Sequence, residues 1–301
     1  MGPWVAIFAP RSSGVCLVVR SATPGVAATR ASTPRWWSTR TTRSSSPTTR
    51  SSLRLPARRS SARAGSNRSA SPKRSCGGYR AGRLTGLGSS TLSALRSLAA
   101  GSHWALAGAS GERAAGNGAA MRIAPVAFLV DPRSSSGRRM IRDVASVTHR
   151  NDAAYAGALA IALAIRLASE GVDLKGLPEE VAAYLPDTAV RDAVVALMKL
   201  HVGLSPADAG HIVGNSGYVA ESVPLAIHFA RRGDDGLEAS VRRAIEAGGD
   251  CDTIASMCGQ IVGAAVGESG LPDHVSCVEG VDDLREAFET FAALVAGEGG
   301  G

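Results

Sequence analysis

No aspartate or glutamate occurs before Glu112 in this 301-residue chain, and that absence divides it in two. Seventeen of its 33 Lys and Arg residues lie in the acid-free stretch, so the remaining sixteen face all 26 carboxylates. The formal charge is therefore +17 before Glu112 and −10 after it, and the overall +7 is a sum of opposites. A basic arm points towards nucleic acid or an anionic surface. This one lacks Lys blocks, interleaved aromatics and a helical period, which argues against nucleic acid as a partner. Zinc-type cysteine spacing is also absent. The five cysteines, Cys16, Cys76, Cys251, Cys258 and Cys277, are odd in number and form no CxxC or Cys/His pattern. That usage predicts a reducing, cytoplasmic compartment with buried thiols. Long apolar runs are missing too. The longest charge-free one after Glu112 runs from Ala153 to Ile165 and is broken by Arg166. A spanning helix needs roughly 18–20 such residues, so this segment predicts a core helix and no membrane partner. No basic n-region precedes the short apolar run in Met1–Pro10, so no secretory signal is expected.

What is present before Leu84 is mostly Arg, Ser, Thr, Pro, Ala and Gly. Apolar side chains there are too sparse to offset the entropy of ordering, and residues 1–83 are expected to be a disordered Arg/Ser-rich segment. From about residue 84 the pattern turns helical. Leu92, Leu95 and Leu98 share a face of Ser89–Leu98. Ala153–Ala168 is apolar all round, which marks a fully buried helix. Val190, Val194, Leu197 and His201 form a stripe in Ala189–His201. Leu237, Val241 and Ile245 repeat it until Gly248-Gly249. Leu284, Phe288, Phe291 and Val295 do so again in Asp282–Ala296. Alternating strand patterns are nearly absent. An all-α domain over residues 84–301 follows, large enough to bury a core.

Four segments carry candidate chemistry. In Gly248-Gly249-Asp250-Cys251-Asp252-Thr253, an extended turn points residues i and i+2 the same way, so Asp250 and Asp252 can converge while Thr253 adds a hydroxyl. Carboxylate, carboxylate and neutral oxygen are what a hard divalent cation selects. Plain helix capping, with Asp252 on free backbone N–H groups, explains the same residues. In Gly116-Asn117-Gly118-Ala119-Ala120-Met121-Arg122 the glycines allow an anion-binding nest ahead of a helix Ala119–Leu129. An ordinary Gly/Asn turn is the alternative. In Ser146–Asp152, Thr148 or Asp152 is the candidate cap of the buried helix and His149 sits at its mouth, although a lone histidine is more often a satisfied one. Gly214–Tyr218 opens the helix Val219–Arg231, and Tyr218 is placed to pack or to stack on a ligand ring.

These segments, in this order, resemble the ADP-ribosylglycohydrolase family. The anchors are GLGSST (86–91), GERAAGNGAAMR (111–122), SVTHRNDAAYAGALA (146–160), SGYVAESVPLAI (216–227) and GGDCDTIASMCGQIVGAAVG (248–267). The resemblance covers residues 84–267. It implies an all-α fold, a dinuclear Mg2+ or Mn2+ centre, and hydrolysis of the bond between ADP-ribose and a protein side chain or small acceptor. By resemblance, Asp250, Asp252 and Thr253 match a metal-binding segment, with Cys251 where a Thr is usual. Gly116, Asn117, Gly118, Met121 and Arg122 match the loop that holds the ADP-ribose, and His149 and Tyr218 match positions lining the same cleft.

The family's other half-site does not appear. Its Gly-Asp-Ala-Leu-Gly helix start and Thr-Asp-Asp-Thr turn both need acids, and none precedes Glu112. A displaced reading frame accounts for this. The codons ACC-GAC-GAC-ACG-CAG-CTC for Thr-Asp-Asp-Thr-Gln-Leu, read one base late, give Pro-Thr-Thr-Arg-Ser-Ser, the string at Pro47–Ser52. Undoing the same shift on Val18–Pro24 allows Gly-Gly-Ala-Val-Gly-Asp-Ala, similar to the family's opening helix. The frame would return between about Ala57 and Leu84. The expectation is a metal-dependent hydrolase acting on an ADP-ribosylated protein or small conjugate, inactive in this form for want of half its metal site. A non-catalytic ADP-ribose-binding module and a basic-arm nucleic-acid binder are the rival readings.

Overall fold

The computed structural model describes residues 4–8, 16–20, 79, 87–277 and 281–298. They fall within one unit, residues 1–22 with 69–301. In chain order the helices are α1 (Ser89–Ala99), α2 (Trp104–Ala107), α3 (Ala124–Leu129), α4 (Ser135–Ser146) and α5 (Asp152–Ser169). They continue with α6 (Leu177–Ala182), α7 (Ala189–Ala196), α8 (Pro206–Val213), α9 (Val219–Ala230), α10 (Leu237–Glu246), α11 (Cys251–Val266) and α12 (Val281–Glu298). The domain is all-α, as its helical periodicity predicts.

The centre is α5. Every residue from Ala154 to Ile165 is buried, because α3, α4, α9 and α11 pack around it. A helix apolar on all faces has no other stable place in water. By length and composition it is the one described helix that could cross a membrane, but here its apolar surface is enclosed by protein. Fully burying each of Leu159, Ile161, Leu163 and Ile165 contributes about 1.5–3 kcal/mol. Gly157 lets α9 approach closely, since a Cβ there would lie 2.2 Å from Val219 Cγ2. The N-terminus of α5 is capped by Asn151, whose Oδ1 accepts from the Ala154 amide at 3.1 Å. Neither Thr148 nor Asp152 does this. Thr148 instead turns its hydroxyl to Arg122 and His149.

Two further details depart from the sequence expectations. The α7 stripe stops early: the helix ends at Ala196, a 3-10 turn covers Leu197–Lys199, and His201 is exposed while Val190, Val194 and Leu197 are buried. Within the stretch expected to lack structure, β1 (Trp4–Phe8) pairs antiparallel with β2 (Cys16–Arg20), from Trp4↔Arg20 to Phe8↔Cys16. The runs Val5–Phe8 and Leu17–Val19 are short, apolar and rich in β-branched residues, which suits a strand. Averaging composition over residues 1–83 conceals them. Strand β2 packs against α11 and β1 against α12. Pro47–Ser52 and the other residues before Leu87, apart from the two strands and Tyr79, lie outside the described residues. A second pair is parallel: β3 (Ala109–Ser110) beside β4 (His149–Arg150). It ties the approach to the Gly116 loop to the approach to α5.

Candidate functional site

The Gly248–Thr253 turn forms because α10 must stop and α11 must start within four residues. Gly248 and Gly249 adopt φ of +72° and +64°, the left-handed region that glycine enters without steric cost. The Asp250 amide donates to the Asn215 carbonyl at 2.8 Å, and the Asn215 Nδ2 amide donates to the Ala247 carbonyl at 2.8 Å. So the Gly214–Tyr218 turn holds the aspartate turn by its backbone. Asp250 stands at the N-cap position of α11 without using its side chain as a cap. Its Oδ1 accepts from the Thr253 hydroxyl at 3.0 Å, and its Oδ2 accepts from Asn117 Nδ2 at 2.6 Å. Asp252 Oδ1 accepts from the Thr253 amide at 2.9 Å. Burial, and then the neighbouring Asp250 side chain, raise the Asp252 carboxyl above the usual carboxylate range. Asp252 thus takes a free backbone N–H, as plain capping predicts, while Asp250 is held by side chains instead of being left to solvent.

The Gly116–Arg122 loop meets this turn. Gly116 forms a β-bridge with Tyr218, the Asn117 amide donates to the Gly217 carbonyl at 3.1 Å, and the Val219 amide donates to the Ala115 carbonyl at 3.0 Å. The Asn117 side chain is buried between Asp250 and Ser222. The loop is less open as an anion nest than its glycines suggest, because the Asn117 and Met121 amides already donate to Gly217 and Asn117 carbonyls. Its glycines serve another purpose: a Cβ on Gly118 would lie 2.9 Å from His149 Cε1, and one on Gly116 would lie 3.4 Å from Nε2. The loop is wrapped over the imidazole. Arg122 donates to the Gly118 carbonyl and to the Thr148 hydroxyl, which in turn bonds His149 Nδ1 at 2.7 Å. Burial lowers the Arg122 pKa to about 10, leaving it charged at neutral pH. The Met121 carbonyl accepts from Gln260 Nε2 at 2.9 Å. Tyr218 leaves its ring 41% exposed beside this cluster.

The structure thus joins all the predicted positions into one cluster, drawn from the starts of α3, α5, α9 and α11. The residues that sequence reading passed over are Asn215, Glu221, Ser222 and Gln260, which hold the others. Their signal was weak: an asparagine in a glycine-flanked turn, and a polar residue or two within an apolar helix. A cleft of about 340 Å³ lies between Trp104, Arg142, Arg150 and Tyr155, with Arg142 stacked 4.0 Å over the Tyr155 ring. None of the predicted site residues lines it.

Two buried histidines make the domain sensitive to acid. Burial, then Arg122, depresses His149 to about 4; burial, then Arg231, Arg232 and Arg243, depresses His228 to about 4. Both rings are neutral when folded and regain a pKa near 6.5 on unfolding. The unfolded chain then binds more protons, so stability is full above pH 6.5 and is lost as pH falls towards 4. The loss should be on the order of 2–3 kcal/mol per ring. Melting curves between pH 7.5 and 4.5 should show the decline, and His228→Leu should reduce it by about half. A melting temperature independent of pH over that window would contradict this account.

The sequence profile of the ADP-ribosylglycohydrolase family matches residues 19–300, a longer stretch than the motifs at 84–267 mark out. The chain belongs to the ADP-ribosylglycohydrolase family. Among its relatives, an uncharacterised protein of Archaeoglobus fulgidus is 32% identical over 209 residues, covering 68% of this chain and 65% of that protein. ADP-ribosylhydrolase ARH3 of Danio rerio is 31% identical over 207 residues, covering 57% of this chain and 55% of that enzyme. A solved structure named as an ADP-ribosylglycohydrolase-related protein complex superposes with a TM-score of 0.59 at 27% identity, covering 77% of this chain and 74% of that one. The chain therefore spans between half and two thirds of the length of these curated relatives.

For the dinuclear Mg2+ or Mn2+ centre that membership of the ADP-ribosylglycohydrolase family implies, the donor set is too small. Asp250, Asp252 and Thr253 offer oxygens, but both Asp250 oxygens already accept hydrogen bonds. No group of three His, Cys, Asp or Glu side chains suited to a metal occurs among the described residues. Hard cations need several carboxylate and neutral oxygens at once. These residues by themselves do not fit a two-metal centre.

Proposed function

We propose that this chain recognises the ADP-ribose portion of an ADP-ribosylated protein or small ADP-ribose conjugate, and that in this form it releases ADP-ribose negligibly. The observation that carries the reading is the 2.6 Å hydrogen bond from Asn117 to Asp250, which locks two motifs 133 residues apart into one site. Around it, the half-exposed Tyr218 offers a face to an adenine or ribose, and the half-buried Arg122 keeps a positive charge under the loop. Family membership supports hydrolysis of a glycosidic bond as the ancestral reaction. The small donor set supports binding without turnover as the present one. We place the chain in the cytoplasm, in keeping with the free thiols of Cys251, Cys258 and Cys277.

Calorimetric titration of the full chain with ADP-ribose tests this. Saturable binding is expected, weakened roughly tenfold in Tyr218→Ala, since a stacked ring contributes about 1–3 kcal/mol. No heat with ADP-ribose, or equal binding of any anion such as inorganic phosphate, would sink the reading.

A further inference from the structure

We propose that Glu221 and Ser222, adjacent residues in the first turn of α9, are positioning residues that hold the Gly116–Arg122 loop and the Asp250 turn in a single register. The inference deepens the ADP-ribose reading above and rests on it for the ligand.

Ser222 is fully buried. Its hydroxyl donates to the Tyr218 carbonyl at 3.1 Å, an ordinary back-bond within a helix that by itself means nothing more than local structure. What sets it apart is the second bond: the same oxygen accepts from Asn117 Nδ2 at 3.1 Å, across 105 residues of sequence. An Asn side-chain amide carries two hydrogens. One goes to Ser222 and the other to Asp250 Oδ2 at 2.6 Å. The carboxamide of Asn117 is thereby fixed at both ends. Its orientation is also unambiguous, because turning it over would set its oxygen against an acceptor-only carboxylate. The chain of bonds Tyr218 carbonyl, Ser222 hydroxyl, Asn117 amide, Asp250 carboxylate runs without a gap through the candidate site.

Glu221 supports the other side. Its Oε2 accepts from the Ser216 amide at 3.0 Å. The Gly214 backbone lies so close that a Cβ there would sit 2.4 Å from Glu221 Cγ, and its φ of +90° is one that glycine tolerates. Glu221 therefore braces the Gly214–Gly217 turn from beneath. That turn supplies two acceptors: the Gly217 carbonyl for the Asn117 amide and the Asn215 carbonyl for the Asp250 amide. One helical turn thus controls Asn117 through both its side chain and its backbone, and Asp250 through both as well. Neither Glu221 nor Ser222 needs to touch a ligand to do this.

The test uses the full chain and two readouts. Without ligand, the side-chain amide protons of Asn117, followed by NMR exchange, should be slow in the wild type and at least tenfold faster in Ser222→Ala, which leaves a buried donor unsatisfied. With ADP-ribose, calorimetry should show Ser222→Ala weakened about tenfold, and Asn117→Ala weakened at least as much. If Ser222 acts through Asn117, the double variant should bind no worse than Asn117→Ala alone. Alanine is a good helix former of similar size, so Ser222→Ala should still melt cooperatively. Glu221→Gln, which keeps an acceptor oxygen for Ser216, should retain affinity, whereas Glu221→Ala should lose it, giving a second variant at a less buried position. Additive losses in the double variant, or Asn117 exchange unchanged by Ser222→Ala, would overturn the proposal. The two failures are distinguishable: a wild-type chain that takes up no ADP-ribose defeats the functional reading, while amide exchange still decides whether Ser222 fixes Asn117.

Discussion

Given an ADP-ribosylated protein and Mg2+ or Mn2+, the chain as it stands should release free ADP-ribose at the background rate, while a frame-restored version should release it in a chelator-sensitive way. The argument is one of charge and ligand number. Two divalent ions carry four positive charges, and Asp250 with Asp252 offers at most two negative ones. Asp250 already accepts from Asn117 and Thr253, and burial, then the neighbouring Asp250, raise the Asp252 carboxyl above the usual carboxylate range. A cation leaves water only when several carboxylate and neutral oxygens replace its hydration shell together. Restoring the frame across Val18 to about Leu84 would supply a Thr-Asp-Asp-Thr turn and an opening helix ending in Gly-Asp-Ala. In that version Asp252→Ala should abolish turnover, with helical content nearly unchanged, because Asp252 is only partly buried. The measurement is ADP-ribose release with and without chelator for both versions. Robust chelator-sensitive turnover by the present chain would show that the metal site lies elsewhere.

Gly249→Ala should cost on the order of 3 kcal/mol and also abolish ADP-ribose binding, a far larger effect than an alanine substitution usually brings. The backbone φ of +64° is itself unfavourable for an L side chain, by roughly 1–2 kcal/mol. The larger effect is steric. A Cβ on Gly249 would lie 2.1 Å from the Asn215 carbonyl oxygen, so backbone has to move. That carbonyl accepts the Asp250 amide, and the Asn215 side chain holds Ala247. Displacing it would release the Asp250 carboxylate from Asn117. In a domain of this size the expected fall in melting temperature is roughly 6–12 °C. Gly101→Ala is the control: its φ is +96°, but nothing lies within 4 Å of the added Cβ. Equal effects at the two positions would show that dihedral strain alone is at work and that the Asn215 contact is unimportant.

The comparison of Gly249 with Gly101 shows what a sequence can and cannot carry. Both are glycines, alike as residue types, and only the fold reveals that one is packed against a carbonyl. The same holds for His149. As a residue type it read as an ordinary histidine near a helix start, and its place beneath Gly116 and Gly118 depends on a parallel contact between β3 and β4. The Asp250–Thr253 turn read equally well as a metal site or as plain capping by Asp252 with Asp250 solvated, since both use an aspartate before a helix. The side-chain bonds of Asp250 to Asn117 and Thr253 show that it is not simply solvated, and one of those partners is 133 residues away.

By itself, then, the sequence determined the all-α class, the buried character of α5, the C-terminal stop of α10 and the membership of Asp250, Asp252, Asn117, His149 and Tyr218 in a set of motifs. Each of these depends on local information: a 3.6-residue period, a pair of glycines, a short ordered string. It also determined the charge division at Glu112 and the absence of acids where a second metal half-site would need them. Only the tertiary structure decided that Ser222 and Glu221 brace the site, that Asn151 rather than Thr148 or Asp152 caps α5, and that Trp4–Phe8 pairs with Cys16–Arg20. Those outcomes rest on contacts between residues far apart in the chain. A hydrogen bond of about 3 Å is decided by how helices pack, and no local pattern in the sequence records that.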